Sequence, residues 1–500
     1  MRTPSTKRSG SAAAPPDRTG AAAPFAAAGA TALAAALAFW QLGAKSLWLD
    51  EGLSAVRSGL DFADLLPRLF GYDANSNLHA LLLHLWIRLF GDGEAALRSL
   101  SAIAAVGCVP LVYLLASRLF GRWPGAAAAV LLALNGFFLH YAQESRCYAL
   151  LLLLTCAQSL LFLRALERST WVLWLGYAAL GGLAVYAHAA ALLNLPVHVL
   201  AALSGPPRAP DWRRFAAALA LTGAITAPQA WFLVHNEGGQ LDWVERPGLS
   251  DLRLAALEWT GYGGTLALLL AALAIGLGAV VAARRNPPPG GESWAPWGAR
   301  WALIGTVGVV LFVFAISQAR PALIPRYLIA VVPGLVLLYA AALALLRPRW
   351  AALALFAVLA FSSARGVHYW YTEYQKEDFR AATAFVLERL RPGDAITFYV
   401  YMVREPFEYY ARRAGAGDLP VVDVASAAWG GGGRQPAPDL AKIHALAREY
   451  PRVWLVLSHA GAALTPQSNS RTVQREIQRD YIVANVQRFQ GITVMLYQRR

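Results

Sequence analysis

Long apolar runs separated by short polar loops repeat along most of the chain. Runs of roughly 18–24 residues with almost no charge are long enough for a helix to cross a lipid bilayer. Such runs lie at about residues 25–44, 95–117, 124–141, 147–166, 171–187, 189–204, 214–234, 262–283, 300–318, 323–346 and 350–367. The pattern predicts a polytopic α-helical membrane protein with about 11 transmembrane helices.

One further apolar stretch, residues 79–90, has only about a dozen residues and contains His79, His84 and Arg88. It is too short to span comfortably, and we predict an interfacial helix lying along the membrane in the first outside loop, residues 45–94. Counting it as a span would reverse the side of every later basic loop.

The distribution of arginines predicts the orientation of the chain. With eleven spans, the basic loops fall on one side, which the positive-inside rule assigns to the cytoplasm. The net charge of +14 is thereby explained as a topology signal, without nucleic acid. Residues 1–24 are predicted to be a disordered cytoplasmic tail, with a cleavable signal peptide as the alternative. We predict a bacterial cytoplasmic (inner) membrane protein with a cytoplasmic N-terminus.

Composition agrees with this class, since 57% of the residues are hydrophobic and only 15% are charged. Soluble domains carry about 25% charged residues. Residues 25–367 are predicted to form the transmembrane domain. Residues 368–500 are richer in charge, Pro and Gly, and they are predicted to form an extracytoplasmic α/β domain. Its predicted elements are strands at 395–400 and 453–457, and helices at 379–390, 439–450 and 472–489.

The first candidate for chemistry is the acidic pair Asp50 and Glu51, directly after the first apolar run. Carboxylates beside a membrane segment are costly unless they face water or substrate. Asp50 is therefore a candidate general base that takes a proton from an acceptor hydroxyl. The competing interpretation is that Asp50 caps a helix beginning at Glu51.

Two further polar clusters fall on the same side as Asp50. One contains Glu144 and Arg146, and the other contains Arg326. Glu144 and Arg146 either pair with each other at the interface or face the same pocket as Asp50. Arg326, and likewise Arg98, either snorkels to the membrane surface or binds a phosphate.

A resident metal site is not predicted, since the chain has no HExxH motif or Cys/His spacing of that kind. His188 lies between two apolar runs, where a hydrogen-bonded interfacial role is the simpler interpretation. A divalent cation held by Asp50, Glu51, Glu144 and His188 stays open as an alternative. No other cofactor is predicted.

Six stretches of the chain resemble a known family. They are WLDEGLSA at 48–55, LLLHLWIRLFG at 81–91, GEAALRSLSAIAAV at 93–106, YAQESRCYALLLL at 141–153, PRYLIAVVPG at 325–334 and KEDFRAATAFVLERLRPGDAI at 376–396. Together they resemble the bacterial polyprenyl-phosphate-sugar glycosyltransferases of the GT-C fold. These are the family-39-like relatives of protein O-mannosyltransferases and lipid A aminoarabinose transferases.

The resemblance implies site residues as well as a fold. It implies that Asp50 is the catalytic base, with Glu51 supporting it, and Glu144 is retained as a further catalytic candidate. The residues around the donor phosphate would be Arg98, Arg146, Arg326 and Tyr327, and further pocket candidates are Asn75, Tyr148 and His188.

The chain departs from its relatives at two of these places. It has Asn-Ser-Asn-Leu at 75–78 where relatives often have His-Pro-Pro-Leu, and Tyr-Ala-His-Ala at 186–189 where they often have Tyr-Thr-His-Tyr.

The function implied is inverting transfer of a sugar from a polyprenyl-phosphate donor to a hydroxyl of an envelope acceptor, which is a glycan, a lipid or a protein. The enzyme would be a hexosyl- or pentosyltransferase acting at the outer face of the membrane. Two alternatives from other classes stay open. One is a transporter or flippase of lipid-linked sugars, although the repeated halves typical of transporters are not visible in the sequence. The other is a non-catalytic envelope-assembly subunit.

Overall fold

The computed structural model describes residues 23–69, 74–236, 241, 244–284, 293–399, 401–425, 437–458 and 469–500. Most of the predicted N-terminal tail, residues 1–22, lies outside this range. The last two residues of that predicted tail already belong to the first described helix.

The elements are mostly helical, with four strands near the end of the chain. In chain order they are α1 (Ala23–Phe39), α2 (Leu49–Gly59), α3 (Phe62–Leu69), α4 (Asn77–Phe90), α5 (Glu94–Phe120), α6 (Arg122–Ala133), α7 (Gly136–Ala142), α8 (Tyr148–Glu167), α9 (Trp171–Ala187), α10 (Asn194–Leu203), α11 (Trp212–Asn236), α12 (Leu249–Trp259), α13 (Gly264–Ala283), α14 (Ala295–Leu303), α15 (Val309–Ser317), α16 (Val331–Leu345), α17 (Arg349–Thr372), α18 (Phe379–Leu387), β1 (Asp394–Phe398), α19 (Tyr401–Arg413), α20 (Leu440–Glu449), β2 (Arg452–Ser458), α21 (Asn469–Asp480), β3 (Tyr481–Phe489) and β4 (Ile492–Arg499). Shorter helical turns lie at Ala74–Ser76, Ala189–Leu193 and Pro325–Leu328, and a π-helical turn at Ile304–Gly308 joins α14 to α15.

Six helical segments in the described part of the chain are long and apolar enough to cross a bilayer. They are α5, α8, α11, α13, the continuous α14–α15 segment and α17. The pair α6 and α7 is a seventh candidate, bent by 61°, and four shorter apolar helices accompany these segments. The protein is therefore a multi-pass membrane protein. The count of eleven spans stays a prediction, because it requires the bent pair and all four shorter helices to cross as well.

The bend between α6 and α7 is held by close backbone packing. Asn135 caps α7 by accepting a hydrogen bond from the backbone N–H of Phe138 at 2.9 Å. A Cβ atom on Gly136 would lie 2.7 Å from the carbonyl oxygen of Gly261, and a Cβ on Gly366 would lie 1.6 Å from the same oxygen. Only glycine allows backbones to approach this closely. This contact fixes the start of α7, which leads directly into the polar turn at residues 143–147.

Helix α4 covers the stretch 79–90 for which a short interfacial helix is predicted. It is not among the apolar helices that could span a membrane. Its polar side chains tie it to the end of α2 and to the residues that follow, since the His84 ring lies 3.0 Å from the backbone oxygen of Ser58 and Arg88 pairs with Asp61 at 3.1 Å. The helix itself is present, and its position at the membrane interface stays a prediction.

The last part of the chain forms a mixed four-stranded sheet in the order β1-β2-β4-β3. Strand β1 is parallel to β2, while β4 is antiparallel to both β2 and β3. The alternating side chains of β2 reach two cores. Val453 and Leu455 pack with α20 and α21, whereas Trp454 and Val456 pack in a core shared with α2 and α4. Strands occur where they are predicted around 395 and 453. The division into domains at 368 stays a prediction.

The helix predicted over residues 472–489 is wrong in its second half. Helix α21 ends at Asp480, and Tyr481–Phe489 is strand β3, paired with β4 in a hairpin that turns through Gly491. Strand β3 is an edge strand exposed along most of its length. An exposed strand lacks the alternation of buried and exposed positions that identifies a strand in a sequence. Pairing with β4, which only the tertiary structure provides, decides its conformation.

Candidate active site

Helix α2 carries the acidic pair and separates its two members. The helix begins at Leu49, so Asp50 lies within its first turn and is not the capping residue. Successive residues on a helix point about 100° apart. The Asp50 side chain is consequently 14% exposed, while the Glu51 side chain is completely buried. The two carboxylates face different surroundings and have different partners.

Asp50 faces two arginines. Its Oδ2 atom lies 3.8 Å from an Nη2 atom of Arg146, in the turn between α7 and α8, and 3.8 Å from Nη2 of Arg326, in the helical turn Pro325–Leu328. Arg146 donates to the hydroxyl of Ser54 at 3.1 Å, and Arg326 donates from Nε to the hydroxyl of Tyr148 at 3.0 Å. We call the group Asp50, Arg146, Tyr148, Arg326 and Tyr327 the Asp50 pocket.

Aromatic rings form part of this pocket and pack against it. Tyr148 and Tyr327 are roughly parallel, with ring centroids 6.3 Å apart, and the His188 ring lies 4.6 Å from that of Tyr327. The backbone oxygen of Asn75 accepts a hydrogen bond from the Cys147 thiol at 3.8 Å. The structure therefore places Tyr148 in the Asp50 pocket and His188 against it, while Asn75 contacts Cys147, the residue after Arg146.

Glu51 lies in a second group, the buried charge cluster, defined as Glu51, Arg98, Glu144 and Lys376. The Glu51 carboxylate accepts two hydrogen bonds from Arg98, both at 2.7 Å, one from Lys376 at 2.9 Å and one from the backbone N–H of Ser145 at 2.9 Å. Burial by itself raises the pKa of Glu51, but Arg98 and Lys376 outweigh it and hold the pKa at about 2. A base works best when its pKa lies near the working pH, so Glu51 is poorly suited to proton abstraction.

Arg98 has no N–H group left for a phosphate. Besides its two bonds to Glu51, it donates to the backbone oxygens of Leu42, Lys45 and Ser46 at 2.8–3.0 Å. A guanidinium has five N–H donors, and these contacts use all five. The residue is 1% exposed. The structure thus places Arg98 in the buried charge cluster and not among the residues that face Asp50.

Glu144 also lies in the cluster and not in the Asp50 pocket. Its carboxylate is 3.0 Å from Nε2 of His140 and 3.8 Å from Nζ of Lys376. Burial raises the pKa of Glu144, but Lys376 and His140 together lower it below the usual value. His140 is in turn 2.9 Å from the hydroxyl of Tyr262.

Sequence reasoning missed Lys376, His140 and Tyr262. Lys376 begins the stretch KEDFR, which was recognised only as part of a family pattern. A lysine directly before two acidic residues is typical of a solvent-exposed run of charged residues. Its burial against Glu51 depends on a contact between residues 325 positions apart, which no local pattern shows.

A mostly apolar cleft leads away from Tyr327 between α8, α10, the α14–α15 segment and α16. Its lining includes Leu115, Cys156, Val197, Trp301, Val331 and Leu337. The π-helical turn Ile304–Gly308 contributes Gly305 to the wall, and π-helical turns are frequent at functional sites. Tyr327 therefore belongs both to the Asp50 pocket and to the wall of this apolar cleft.

No three His, Cys, Asp or Glu side chains gather into a metal-binding group within the described ranges. The four residues considered for a divalent cation do not form one donor set. Glu51 and Glu144 are already engaged by Arg98, Lys376 and His140. His188 accepts the N–H of Ala190 through its Nδ1 atom and caps the following helical turn.

Known proteins share parts of this sequence and this fold. Residues 75–232 match the family described as dolichyl-phosphate-mannose-protein mannosyltransferase. No curated protein sequence matches the chain. Among solved structures, ArnT from Cupriavidus metallidurans in the apo state is similar, with 16% identity and a TM-score of 0.65 over 95% of this chain and 98% of that one.

Two further solved structures have the same architecture. ArnT from C. metallidurans bound to undecaprenyl phosphate has 17% identity and a TM-score of 0.64, over 94% of this chain and 97% of that one. The oligosaccharyltransferase of Archaeoglobus fulgidus has 14% identity and a TM-score of 0.57, over 86% of this chain and 67% of that one. Together with the sequence match, these likenesses show that the chain has a GT-C fold, related to that of the protein O-mannosyltransferases and of ArnT.

Proposed function

We propose that this protein is an inverting glycosyltransferase that moves a sugar from a polyprenyl-phosphate donor to a hydroxyl of an envelope acceptor. The observation that carries the proposal is the carboxylate of Asp50 facing Arg146 and Arg326, in a pocket whose Tyr327 also lines an apolar cleft. The carboxylate can accept a proton from a hydroxyl, the two cations can bind a phosphate, and the apolar cleft can hold a polyprenyl chain. The relative bound to undecaprenyl phosphate supports a lipid phosphate as the ligand.

The donor phosphate would bind between the two arginines. Arg146 and Arg326 both approach the same oxygen of Asp50 at 3.8 Å, which is longer than a hydrogen bond and brings the two guanidinium groups close to each other. Guanidinium groups bind phosphate oxygens in bidentate geometry. The hydroxyl of Tyr327, next to Arg326 in sequence, completes the proposed phosphate site. Arg98 is left out because its donors are all used within the protein.

The polyprenyl chain would lie in the cleft that begins at Tyr327. Because its lining is mostly apolar, a hydrocarbon chain can occupy it without leaving buried polar groups unpaired. The sugar would then project from the phosphate towards Asp50.

The reaction we propose is a single displacement. Asp50 takes the proton of the acceptor hydroxyl, and the hydroxyl oxygen attacks the anomeric carbon on the face opposite the phosphate. The bond between that carbon and the phosphate oxygen breaks, and the polyprenyl phosphate leaves with the electron pair. Arg146 and Arg326 stabilise its negative charge, so a separate acid is not required. Attack from the opposite face inverts the anomeric configuration.

Glu51 and Glu144 take supporting roles in this proposal. Both carboxylates contact buried cations and neither is placed to meet an acceptor. We also propose that the reaction occurs at the outer face of the bacterial cytoplasmic membrane, since eleven spans would put the polar clusters on the side opposite the basic loops.

The function is tested by comparing envelope glycans and glycolipids in a strain lacking this protein with those of its parent. We expect mass spectrometry to show at least one glycan or glycolipid missing a sugar in the deletion strain, restored by the wild-type protein. An unchanged glycan and glycolipid profile would overturn the proposal. Full restoration by an Asp50→Asn protein would favour the non-catalytic assembly role.

Arg326→Ala is expected to weaken binding of undecaprenyl phosphate roughly tenfold to a hundredfold, because hydrogen bonds to charged groups contribute about 1.5–3 kcal/mol. Binding is measured with the purified protein in nanodiscs. Arg320→Ala is the matched control, since Arg320 lies in the same loop and is exposed. Equal affinities for the two variants would remove Arg326 from the phosphate site.

A further inference from the structure

The chain around Asp50 is held along its length by residues that follow the last membrane helix. We call residues 43–52 the base loop and residues 373–500 the C-terminal region. The backbone N–H of Leu47 donates to the hydroxyl of Tyr410 at 2.7 Å, and that of Leu49 donates to the carboxylate of Glu377 at 3.0 Å. Arg380 donates to the backbone oxygens of the base loop at residues 43, 44 and 45, at 3.1–3.4 Å.

The same two parts of the chain are packed against each other without a gap. A Cβ atom on Gly52 would lie 2.4 Å from Cβ of Pro406 in α19, so helices α2 and α19 meet backbone to backbone. Leu47, Leu49 and Phe407 belong to one buried apolar core. The apolar core of the C-terminal region therefore includes residues from outside that region. Part of that core is completed by the helix that carries Asp50.

Lys376 connects this packing to the charges of the site. Its Nζ atom donates to Glu51 at 2.9 Å and lies 3.8 Å from Glu144, and its side chain is 2% exposed. Glu51 also accepts the backbone N–H of Ser145 at 2.9 Å. The neighbours of Glu51 and Ser145 in sequence are Asp50 and Arg146. One carboxylate thus sets the separation between the proposed base and a proposed phosphate ligand.

We propose that the C-terminal region is a brace for the base loop, and that Lys376 is the positioning residue that holds Asp50 against Arg146. This inference rests on the proposed role of Asp50 as the base. It assigns a role in the reaction to a region none of whose described residues belongs to the Asp50 pocket.

The charges of the cluster provide the test. Two carboxylates, Glu51 and Glu144, face two cations, Arg98 and Lys376. Removing one partner of a buried ion pair leaves an uncompensated charge, whereas removing an opposite pair together leaves the remaining charges balanced. Lys376→Met and Glu144→Gln each unbalance the cluster. The double variant retains the two hydrogen bonds between Glu51 and Arg98 and is balanced.

The experiment is a double-mutant cycle in the full-length protein. Three quantities are compared. The first is restoration, meaning the amount of the missing glycan or glycolipid regained in the deletion strain divided by the amount of variant protein. The others are the Kd for undecaprenyl phosphate in nanodiscs and the thermal midpoint. We expect each single variant to lower restoration at least about tenfold. We expect the double variant to recover at least half of this loss on a logarithmic scale. The Kd should stay within about fivefold throughout, because Arg326 is held by Tyr148, outside the cluster.

Lys442→Met is the control for loss of a lysine in the C-terminal region. Lys442 is exposed and donates to the backbone oxygen of Ala425. This variant should restore the glycan or glycolipid like the wild type. A merely structural role of Lys376 would reduce the amount of folded protein without changing restoration per amount of protein.

Two results would overturn the brace. Additive losses in the cycle would show that Lys376 and Glu144 do not act through a shared charge balance. A double variant as inactive as Glu144→Gln alone would instead give Glu144 a direct part in transfer. A result that excludes Asp50 as the base can be distinguished from both of these results. If Asp50→Asn is fully active, the thermal midpoints of the cycle still measure the coupling on which the brace depends.

Discussion

Asp50→Asn is expected to lower sugar transfer by about a hundredfold or more, because general-base catalysis contributes roughly 10²–10⁴-fold to such reactions. The substitution keeps the shape of the side chain and removes the group that accepts the proton. Transfer is measured as restoration, in the deletion strain, of the missing glycan or glycolipid, with the variant present at wild-type amounts. Wild-type transfer by this protein would exclude Asp50 as the base.

Lipid binding should move in the opposite direction in the same variant. Asp50 is a negative charge 3.8 Å from both arginines of the proposed phosphate site. Removing that charge takes away electrostatic repulsion of a phosphate. The Kd for undecaprenyl phosphate should therefore stay equal or fall. This combination of lost transfer and retained binding separates loss of the base from loss of the pocket.

Asp61→Asn is the matched control for this experiment. Asp61 follows α2, the helix that carries Asp50. Its side chain is 86% exposed and pairs with Arg88 at the surface. Exposed ion pairs contribute roughly 0–1 kcal/mol, so neither transfer nor lipid binding should change measurably. A comparable loss in the Asp61 variant would point to a general effect of charge in this part of the chain.

Glu51→Gln is expected to lower the free energy of unfolding by about 3–5 kcal/mol, the usual cost of breaking a buried ion pair on one side. Arg98 and Lys376 would then face an uncharged amide in a site with no exposure. The measurement is the thermal midpoint of the purified protein in nanodiscs, together with its yield. Glu388→Gln is the control, because that side chain is 67% exposed. Equal midpoints for the two variants would contradict the structural role of Glu51.

The effect of Glu51→Gln should depend on pH in a defined direction. Although burial raises the pKa of Glu51, Arg98 and Lys376 hold it at about 2 in the folded protein, against an ordinary value of 4.5. A lowered pKa means that the stabilisation is present above pH 4.5 and is lost as the pH falls towards 2. The difference in thermal midpoint between wild type and variant should therefore shrink across this interval. A difference that grew on acidification would have the wrong sign.

Some of the site could be predicted from residues alone. The relation to GT-C glycosyltransferases followed from WLDEGLSA and YAQESR, and the fold agrees with it. Asp50, Arg146 and Arg326 are predicted to lie on one side of the membrane, and the structure places each of the two arginines 3.8 Å from Asp50. Because successive spans cross the membrane in opposite directions, counting them predicts on which side of the membrane each polar cluster lies. It does not say which clusters touch.

The assignments of individual acidic and basic residues were less predictable. Asp50 and Glu51 are adjacent and chemically alike, so no local pattern assigns one to the pocket and the other to the buried charge cluster. Arg98 looked like any arginine at the start of a membrane helix. Its role depends on three backbone oxygens and a carboxylate supplied by another segment of the chain.

By itself, the sequence determined the class of this protein, because hydropathy is read over a single helix and requires no knowledge of neighbours. It also determined which loops carry the charges. Only the tertiary structure decided how the adjacent carboxylates differ, that strand β3 is a strand, and that Lys376 reaches Glu51 across 325 residues. The physical reason is the same in each case. The free energy of a buried charge or an edge strand depends on its partner, and these partners are distant in the chain.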